Sequence, residues 1–322
     1  MSHFTVAVIT DGVPTNEKIE KALAPYQENN MGDCPKEYLE FHSRREEILG
    51  EYERYTRTMY RGEYGTLYRP DEEMFKKEIA YSERNNYRNW GYDGKKYYTS
   101  DYTGYTAIEI PHKQIYATFE EYLKEYCKDE WNEEAQDYGY WENPNAKWDW
   151  YEIGGRWAGR LKVASDCENC GVGKKSWGWG NEDPYESTDR YKKVDSARIK
   201  ELVFPDYQEK YIEAKRFWEL KVEKQEPQND KEKELIKWDF YKPEYYINTY
   251  KDKETYAECE ATFSTYAVID KEGHWCAKGE MGWWGFSSSE ENQEVDFIKN
   301  YKKNVFDVAG EDDYITIVDC HI

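Results

Sequence analysis

Phe4-Thr5-Val6-Ala7-Val8-Ile9-Thr10 is the stretch of sequence that decides the fold. It is a short apolar run rich in β-branched residues that ends at Asp11-Gly12, which is typical of a buried strand followed by a turn. Tyr314-Ile315-Thr316-Ile317-Val318 has the same character. Because the two ends of a compact domain often lie close together, we expect these strands to pair or to be neighbours in the centre of one sheet.

The residues between these strands predict how the sheet is completed. Residues 17–24 favour a short helix, and residues 263–270 and 273–278 flank the turn-like Asp270-Lys271-Glu272-Gly273, which predicts a β-hairpin. Apolar residues recur at helical spacing over residues 295–305. The order β-α-β-β-α-β predicts an α+β fold with a ferredoxin-like (split βαβ) antiparallel sheet. This sheet would contain both terminal strands and carry a long helical and irregular insertion.

Composition divides the chain into four segments. Residues 1–35 and 255–322 are expected to form the core sheet domain, and residues 36–140 a helical and irregular insertion. Residues 141–200 hold a Trp/Gly-rich hairpin and a cysteine loop, and residues 201–254 are a charged helical segment.

Within these segments, Thr118-Phe119-Glu120-Glu121 is a capping-box sequence that predicts a helix reaching about Trp131. Residues 206–224 predict another helix, which a charged helix follows after a break at 225–230. Residues 64–105 are rich in Tyr, Asn and Gly with little period, and we interpret them as an irregular loop or a small strand excursion.

The charge of the chain limits its partners. Lys and Arg number 45 against 66 Asp and Glu, a net charge of −21, so the average surface repels phosphate and anionic lipid. We therefore expect no direct nucleic-acid binding, although a local basic patch around Arg156 and Arg160 stays open. The same carboxylates suit docking onto a basic protein surface. Aromatic residues make up 17% of the chain, which predicts an aromatic core.

The sequence also predicts where the protein acts. It lacks a basic, apolar export signal and any run of about 18 apolar residues that would cross a membrane. Seven cysteines at irregular spacing are typical of reduced thiols in a cytoplasm. We expect a soluble cytoplasmic protein without a cofactor.

The densest motif is Lys147-Trp148-Asp149-Trp150-Tyr151-Glu152-Ile153-Gly154-Gly155-Arg156-Trp157. In a strand, alternate residues face opposite sides, so each face would carry a ring. The two glycines permit close backbone approach. Arg156 beside indoles could hold a phosphate or carboxylate. The alternative is a Trp-rich core hairpin in which a buried Arg156 pairs with Asp149 or Glu152.

A second aromatic motif is Glu280-Met281-Gly282-Trp283-Trp284-Gly285. If the two motifs meet, they form an aromatic cleft lined by Arg156 and Glu280. Structural packing of the rings is the alternative. The candidate ligand- or partner-binding residues are Trp148, Asp149, Trp150, Tyr151, Arg156, Trp157, Glu280, Trp283 and Trp284.

Metal and nucleophile chemistry have weaker signals. Cys167 and Cys170 form one CxxC, half of a zinc site without a second half, and a surface loop with two reduced thiols is the alternative. His3 and His321 sit at strand ends that could adjoin. Cys320 and His321 are adjacent on a strand and should point to opposite faces, so we expect no Cys–His dyad and predict no catalytic residue.

Four stretches together resemble a family of uncharacterised bacteriophage and prophage proteins. They are Met1-Ser2-His3-Phe4-Thr5-Val6, Lys147 to Trp157, Gly279 to Gly285, and Val318-Asp319-Cys320-His321-Ile322. The resemblance implies a phage accessory protein in the cytoplasm of a host bacterium, and it brings no catalytic role.

Three functions follow as hypotheses. The favoured one is a non-enzymatic phage protein that binds and inhibits a host defence protein. The alternative is a binder or hydrolase of a nucleotide or small signalling molecule, which uses the Trp/Arg-lined cleft. The third is a structural phage or housekeeping component. The sequence leaves a homo-oligomer open.

Overall fold

A computed structural model describes residues 2–62, 64–69, 105–175, 183–281, 287–290 and 292–322. The chain divides into two compact units. Unit 1 comprises Met1–Leu39 and Asn143–Ile322, and unit 2 comprises Glu40–Glu142. The four segments predicted from composition stay a prediction.

Among the described residues, a run of strands from Trp131 to Arg198 is followed by a run of four helices from Tyr207 to Ala261. The strands are β1 (His3–Thr10), β2 (Glu40–Ser43), β3 (Thr56–Arg61), β4 (Leu67–Tyr68), β5 (Thr106–Pro111), β6 (Trp131–Asn132), β7 (Asp137–Glu142), β8 (Trp150–Gly155), β9 (Leu161–Ala164), β10 (Cys170–Gly171), β11 (Lys174–Lys175), β12 (Tyr191–Val194), β13 (Ser196–Arg198), β14 (Ala267–Ile269), β15 (Trp275–Ala277), β16 (Glu280–Met281), β17 (Ser287–Ser288) and β18 (Tyr314–His321). The helices are α1 (Asn16–Leu23), α2 (Arg45–Arg54), α3 (His112–Ile115), α4 (Phe119–Glu125), α5 (Tyr207–Lys221), α6 (Asp230–Lys237), α7 (Pro243–Tyr250), α8 (Lys253–Ala261) and α9 (Gln293–Lys299).

The main sheet of unit 1 is built around its two terminal strands. β1 and β18 pair antiparallel along their whole length, from His3 opposite His321 to Thr10 opposite Tyr314. The strand order is β10-β13-β18-β1-β14-β15, and β8 also pairs with β18. The predicted α+β class and the presence of both terminal strands in one sheet are confirmed.

The sheet is mixed, so the prediction of an antiparallel sheet is wrong at two pairings, β1 with β14 and β8 with β11. β14 runs parallel to β1, with Val6 opposite Ala267 and Val8 opposite Ile269. The reason is that the chain returns after α8 to the end of the sheet where β1 begins, and Tyr266 already donates a backbone hydrogen bond to Thr5. The predicted hairpin is confirmed as β14 and β15, but its first strand lies beside β1. In a ferredoxin-like strand order, the second strand of the hairpin would lie beside β1. That topology is not shown.

Both faces of β1 and β18 are covered by apolar side chains, which explains their nearly continuous apolar sequences. On one face Phe4, Val6 and Val8 pack with α1 and Trp148. On the other face, Ala7 and Ile315 pack in a cluster that includes residues from β9 and from the segment after α9. Burial on both faces therefore explains why the sequences of the two terminal strands were recognisable as strands.

A second core in unit 1 lies among its helices. Trp218 of α5 packs with Tyr246 of α7 and Tyr256 of α8. The helix predicted at residues 206–224 is confirmed as α5, and the charged helix after the break is α6. Asn229 caps α6 by accepting a hydrogen bond from the backbone N–H of Glu232 at 2.9 Å.

Unit 2 has its own sheets and core. Its strands form the sheets β2-β7-β6 and β4-β3-β5. Tyr116 and Tyr122 are fully buried beside Ile48. The predicted cap at Thr118 is confirmed, since its Oγ accepts from the backbone N–H of Glu121 at 3.1 Å, but α4 ends at Glu125. Most of the loop predicted at residues 64–105 lies outside the described residues.

No helix in the described part of the chain is long and apolar enough to span a membrane.

Candidate functional site

Two histidine–aspartate pairs meet on one face of the sheet of unit 1. His3 on β1 and His321 on β18 are register partners, and their ring centroids are 4.9 Å apart. Nδ1 of His3 lies 2.8 Å from Oδ1 of Asp319, and Nδ1 of His321 lies 2.6 Å from Oδ1 of Asp149. We call these four residues the histidine site.

Strand geometry places each member of the histidine site. Asp319 precedes His321 by two residues on β18 and therefore points to the same face, opposite Thr5. Its carboxylate reaches the ring of His3 at the neighbouring position of β1. Asp149 precedes β8, and its backbone N–H donates to the carbonyl oxygen of His321 at 2.9 Å.

The Gly154-Gly155 pair allows the backbone to approach Asp319. The Asp319 side chain is fully buried, and its Oδ2 accepts a hydrogen bond from the backbone N–H of Arg156 at 2.9 Å. Gly155 has φ +55°, and a Cβ there would lie 2.4 Å from the Cβ of Asp319. Only glycine fits this position, so one role of the motif is to hold a buried carboxylate.

Asp195 is a second buried carboxylate beside the same glycines. It accepts hydrogen bonds from the backbone N–H groups of Gly159 and Gly173 at 2.6 and 2.7 Å, and from the Tyr185 hydroxyl at 2.6 Å. Burial raises the pKa of Asp195, and these hydrogen bonds partly oppose that effect. Because Asp195 has no exposed surface, we interpret it as an anchor for the surrounding loops.

A carboxylate partner holds each of the two imidazoles in place. A carboxylate at Nδ1 fixes the ring of each histidine and leaves Nε2 as the nitrogen that can face a ligand. The side chains of His3 and His321 are 12% and 14% exposed, so solvent reaches both. Two adjacent, oriented imidazoles can act as a general acid and a general base.

Further polar and aromatic groups surround the histidine site. Trp150 is the register partner of His321 and is 47% exposed, and its ring centroid lies 6.2 Å from that of His3. Burial is the main cause that raises the pKa of Glu28, and the charge of Asp149 raises it further. The charge of His321 opposes this shift. The surroundings of the imidazoles are therefore acidic.

The structure separates the predicted binding residues into different environments. Asp149 and Trp150 belong to the histidine site or border it. Trp148 is a core residue, 4% exposed, whose Nε1 donates to the Leu23 carbonyl at 3.0 Å. Tyr151 is half-buried and packs edge-to-face against Trp148, with ring centroids 5.2 Å apart. For Trp148 and Tyr151, the packing interpretation therefore holds.

The remaining candidates lie elsewhere or outside the described residues. Arg156 is exposed, so the alternative of a buried arginine is wrong. Trp157 packs beside the core, and Glu280 pairs on the surface with Lys147 at 3.1 Å. This ion pair joins the two aromatic motifs, whereas Trp283 and Trp284 lie outside the described residues.

Each thiol of the cysteine pair lies near an oxygen atom of the protein. The thiol of Cys167 lies 3.3 Å from Oε2 of Glu201, and that of Cys170 lies 3.5 Å from the carbonyl oxygen of Cys167. Burial raises the pKa of Cys167 to about 12, which favours the thiol. Among the residues that the structure describes, no group of three or more potential ligands could hold a metal ion.

Sequence reasoning missed His3, His321 and Asp319 as site residues. The two histidines were recognisable at strand ends that could adjoin, but their register was not. Asp319 is one of 66 acidic residues and had no distinguishing pattern. A signal that could have found the site is that both terminal strands carry a histidine at the end where the pairing brings them together.

Comparison with known proteins adds no relative. Neither a protein-family description, nor a curated protein, nor a solved structure matches this chain, and the resemblance to phage and prophage proteins stays a prediction.

Proposed function

We propose that the histidine site binds a nucleotide-like phosphoester and hydrolyses it by general acid–base catalysis. One observation carries this proposal: two histidines lie opposite each other on neighbouring strands, and each is oriented through Nδ1 by its own carboxylate. With Nδ1 of each ring bound to a carboxylate, Nε2 is the nitrogen of each histidine that could meet a substrate. The proposal refines the hypothesis of a nucleotide binder or hydrolase. It assigns the chemistry to the histidine site, which takes the place of most of the predicted Trp-lined cleft.

The reaction needs one unprotonated and one protonated imidazole. Water attacks phosphorus and passes a proton to Nε2 of the first histidine. The P–O bond to the leaving alcohol breaks, and the alcohol oxygen takes a proton from Nε2 of the second histidine. The products are a phosphomonoester and an alcohol, and proton exchange with solvent restores both rings. Asp149 and Asp319 stabilise whichever ring is positively charged.

Two neighbouring residues suit recognition of a nucleotide. Trp150 offers an exposed indole beside His3, on which a base could stack. Arg156 is exposed, and its backbone N–H donates to Asp319 of the histidine site, so its guanidinium could bind the phosphate. The acidic chain disfavours long nucleic acids, which fits a small substrate.

Hydrolysis of a chromogenic phosphodiester and a panel of cyclic and linear dinucleotides tests this proposal. We expect His3→Asn and His321→Asn each to lower kcat by about 100-fold or more, because each removes a general acid or base. His274→Asn is the matched control, since His274 also pairs with an aspartate, at 3.0 Å from Asp270, but is 74% exposed elsewhere. Absence of turnover with every ester would refute hydrolysis, and turnover that survives both site substitutions would refute catalysis by the histidine site.

A second candidate function is the binding and inhibition of a host protein, which is compatible with a phage accessory protein in the bacterial cytoplasm. Three large side chains between α6 and α7 are exposed: Trp238 by 72%, Phe240 by 87% and Tyr241 by 59%. Exposed aromatic residues are typical of protein-binding surfaces. The net charge of −21 favours a partner with a basic surface.

Native mass spectrometry of the tagged protein from its host tests this second candidate. We expect a host protein at fixed stoichiometry, lost on Trp238→Ala/Phe240→Ala and retained on Met31→Ala, which truncates a side chain that is 79% exposed elsewhere. The recovered protein should also lose activity when the purified chain is added. A partner retained equally by the double variant would place binding on another surface.

A further inference from the structure

We propose that unit 1 has a second ligand site, a cavity that binds a small phosphate group. The cavity has a volume of about 170 Å³ and lies between the start of β9, the turn before α5 and the end of α8. It shares no residue with the histidine site. Its occupant is therefore a second ligand and not the proposed substrate of that site.

Positive side chains outnumber negative ones around this cavity. Arg160, Lys162 and Lys210 line it together with Asp206 and Glu260. The lining is thus positive in a chain whose net charge is −21. Burial raises the pKa of Glu260, and the charge of Lys210 opposes that shift. A shift towards the neutral acid makes the lining more favourable for an anion.

Arg160 is placed to bind an oxyanion. Its side chain is accessible to solvent yet surrounded by protein, and this desolvation lowers the pKa of the guanidinium. One Nη donates to the Ser264 carbonyl oxygen at 2.7 Å, and the group lies 5.5 Å from the centre of the Phe263 ring. A guanidinium has five N–H donors, so it can keep this anchor and also bind a phosphate.

The negative charge at Asp206 is already neutralised. Asp206 pairs with Lys162, and this aspartate precedes α5 without capping it through its side chain. The positive end of a 15-residue helix therefore also faces the turn that borders the cavity. The cationic side chains supply most of the positive potential at the cavity, and the N-terminus of the helix adds to it.

The size and the rings of the cavity define the ligand further. A volume of about 170 Å³ is below the roughly 300–1,000 Å³ of typical drug-sized pockets, so only a small group fits. Phe204 and Phe263 supply an apolar wall. A phosphate on a small organic body matches both the charge and this wall.

Calorimetric titration with inorganic phosphate, phenyl phosphate and benzoate tests the site on the full chain. We expect both phosphates to bind, phenyl phosphate more tightly, and benzoate more weakly than either. Arg160→Gln and Lys210→Gln should each weaken phosphate binding about tenfold, because each removes a charged partner. Lys233→Gln is the control, since it changes the same charge on the exposed face of α6.

Three outcomes would overturn this inference. The first is the absence of phosphate binding at millimolar concentration, the second is equal binding by the wild type and both pocket variants, and the third is loss of binding in His321→Asn. Lys210 is exposed, so Lys210→Gln decides the question if Arg160→Gln does not fold. Binding that is unchanged in His321→Asn assigns the phosphate to this cavity, whereas binding lost in that variant assigns it to the histidine site and refutes the cavity.

Discussion

Gly155 and Asp319 show how a single missing side chain makes room for a buried charge. A carboxylate without exposed surface is costly unless hydrogen bonds satisfy it. Asp319 receives hydrogen bonds from the Arg156 backbone and the His3 ring, and the former requires the backbone at Gly155 to lie against it. Asp195 beside Gly154 repeats the arrangement with three donors.

We predict that Gly155→Ala lowers the free energy of unfolding by about 3 kcal/mol or more, because the new Cβ would overlap Asp319. Gly12→Ala is the matched control. Gly12 also has a positive φ, +67°, but a Cβ there meets no atom within 4 Å. It should cost only about 1 kcal/mol of backbone strain. Urea denaturation measures both, and equal losses would show that the contact with Asp319 contributes nothing.

We predict that Asp195 makes stability depend on pH in a defined direction. Burial raises its pKa in the folded state, so between the unfolded and folded pKa values the folded protein binds more protons. The contribution of this group is thus greatest at acid pH and falls as pH rises above about 4 through the folded-state pKa.

Asp195→Asn removes this titration. The difference in free energy of unfolding, wild type minus variant, should therefore decrease as pH rises, and urea titrations over the range from about pH 4 to about pH 7 measure it. Asp230→Asn, whose side chain is 95% exposed, controls for a general change in charge. A difference that grows with pH would mean that the hydrogen bonds lower the pKa of Asp195 more than burial raises it.

At the scale of elements, burial on two faces decides what the sequence could predict. β1 and β18 were recognisable because both are continuous apolar runs between covered faces. The position of the hairpin in the sheet could not be predicted. β14 and β15 have three residues each, and their sequences do not indicate which of them pairs with β1. Of the site, sequence identified Asp149, Trp150 and Arg156, since aromatic and glycine residues marked their motif.

We predict that Trp218→Ala destabilises unit 1 by about 3–5 kcal/mol, because this indole is 5% exposed between α5 and α8. Trp238→Ala is the matched control. It removes an indole of the same size that is 72% exposed, and it should change stability by less than about 0.5 kcal/mol. Thermal and urea unfolding measure both. Similar losses of stability for the two variants would mean that Trp218 is not buried in the helical core.

At the scale of the whole molecule, each unit carries its own hydrophobic core. Unit 1 holds the clusters around the sheet and α5, and unit 2 holds the cluster around Tyr116 and Tyr122. The ends of unit 2 are adjacent, because Glu40 and Glu142 are register partners. An inserted unit of this kind can be removed without stretching the chain that carries it.

We predict that unit 1 folds without unit 2. Replacing Glu40–Glu142 by a short Gly/Ser linker should leave a protein with cooperative unfolding, and residues 40–142 alone should also unfold cooperatively. Circular dichroism during thermal unfolding measures both. Loss of cooperative unfolding in the shortened unit 1 would show that its stability depends on unit 2.

The pairing of β1 with β18 has a consequence for how the protein is made. His3 and Asp319 are 316 positions apart, so β1 leaves the ribosome long before the strand that completes its sheet has been synthesised. Unit 2 contains contacts of shorter range and can fold during this interval. The apolar β1 must remain unpaired with β18 during this interval. The nascent chain is therefore a candidate for chaperone binding until translation reaches β18.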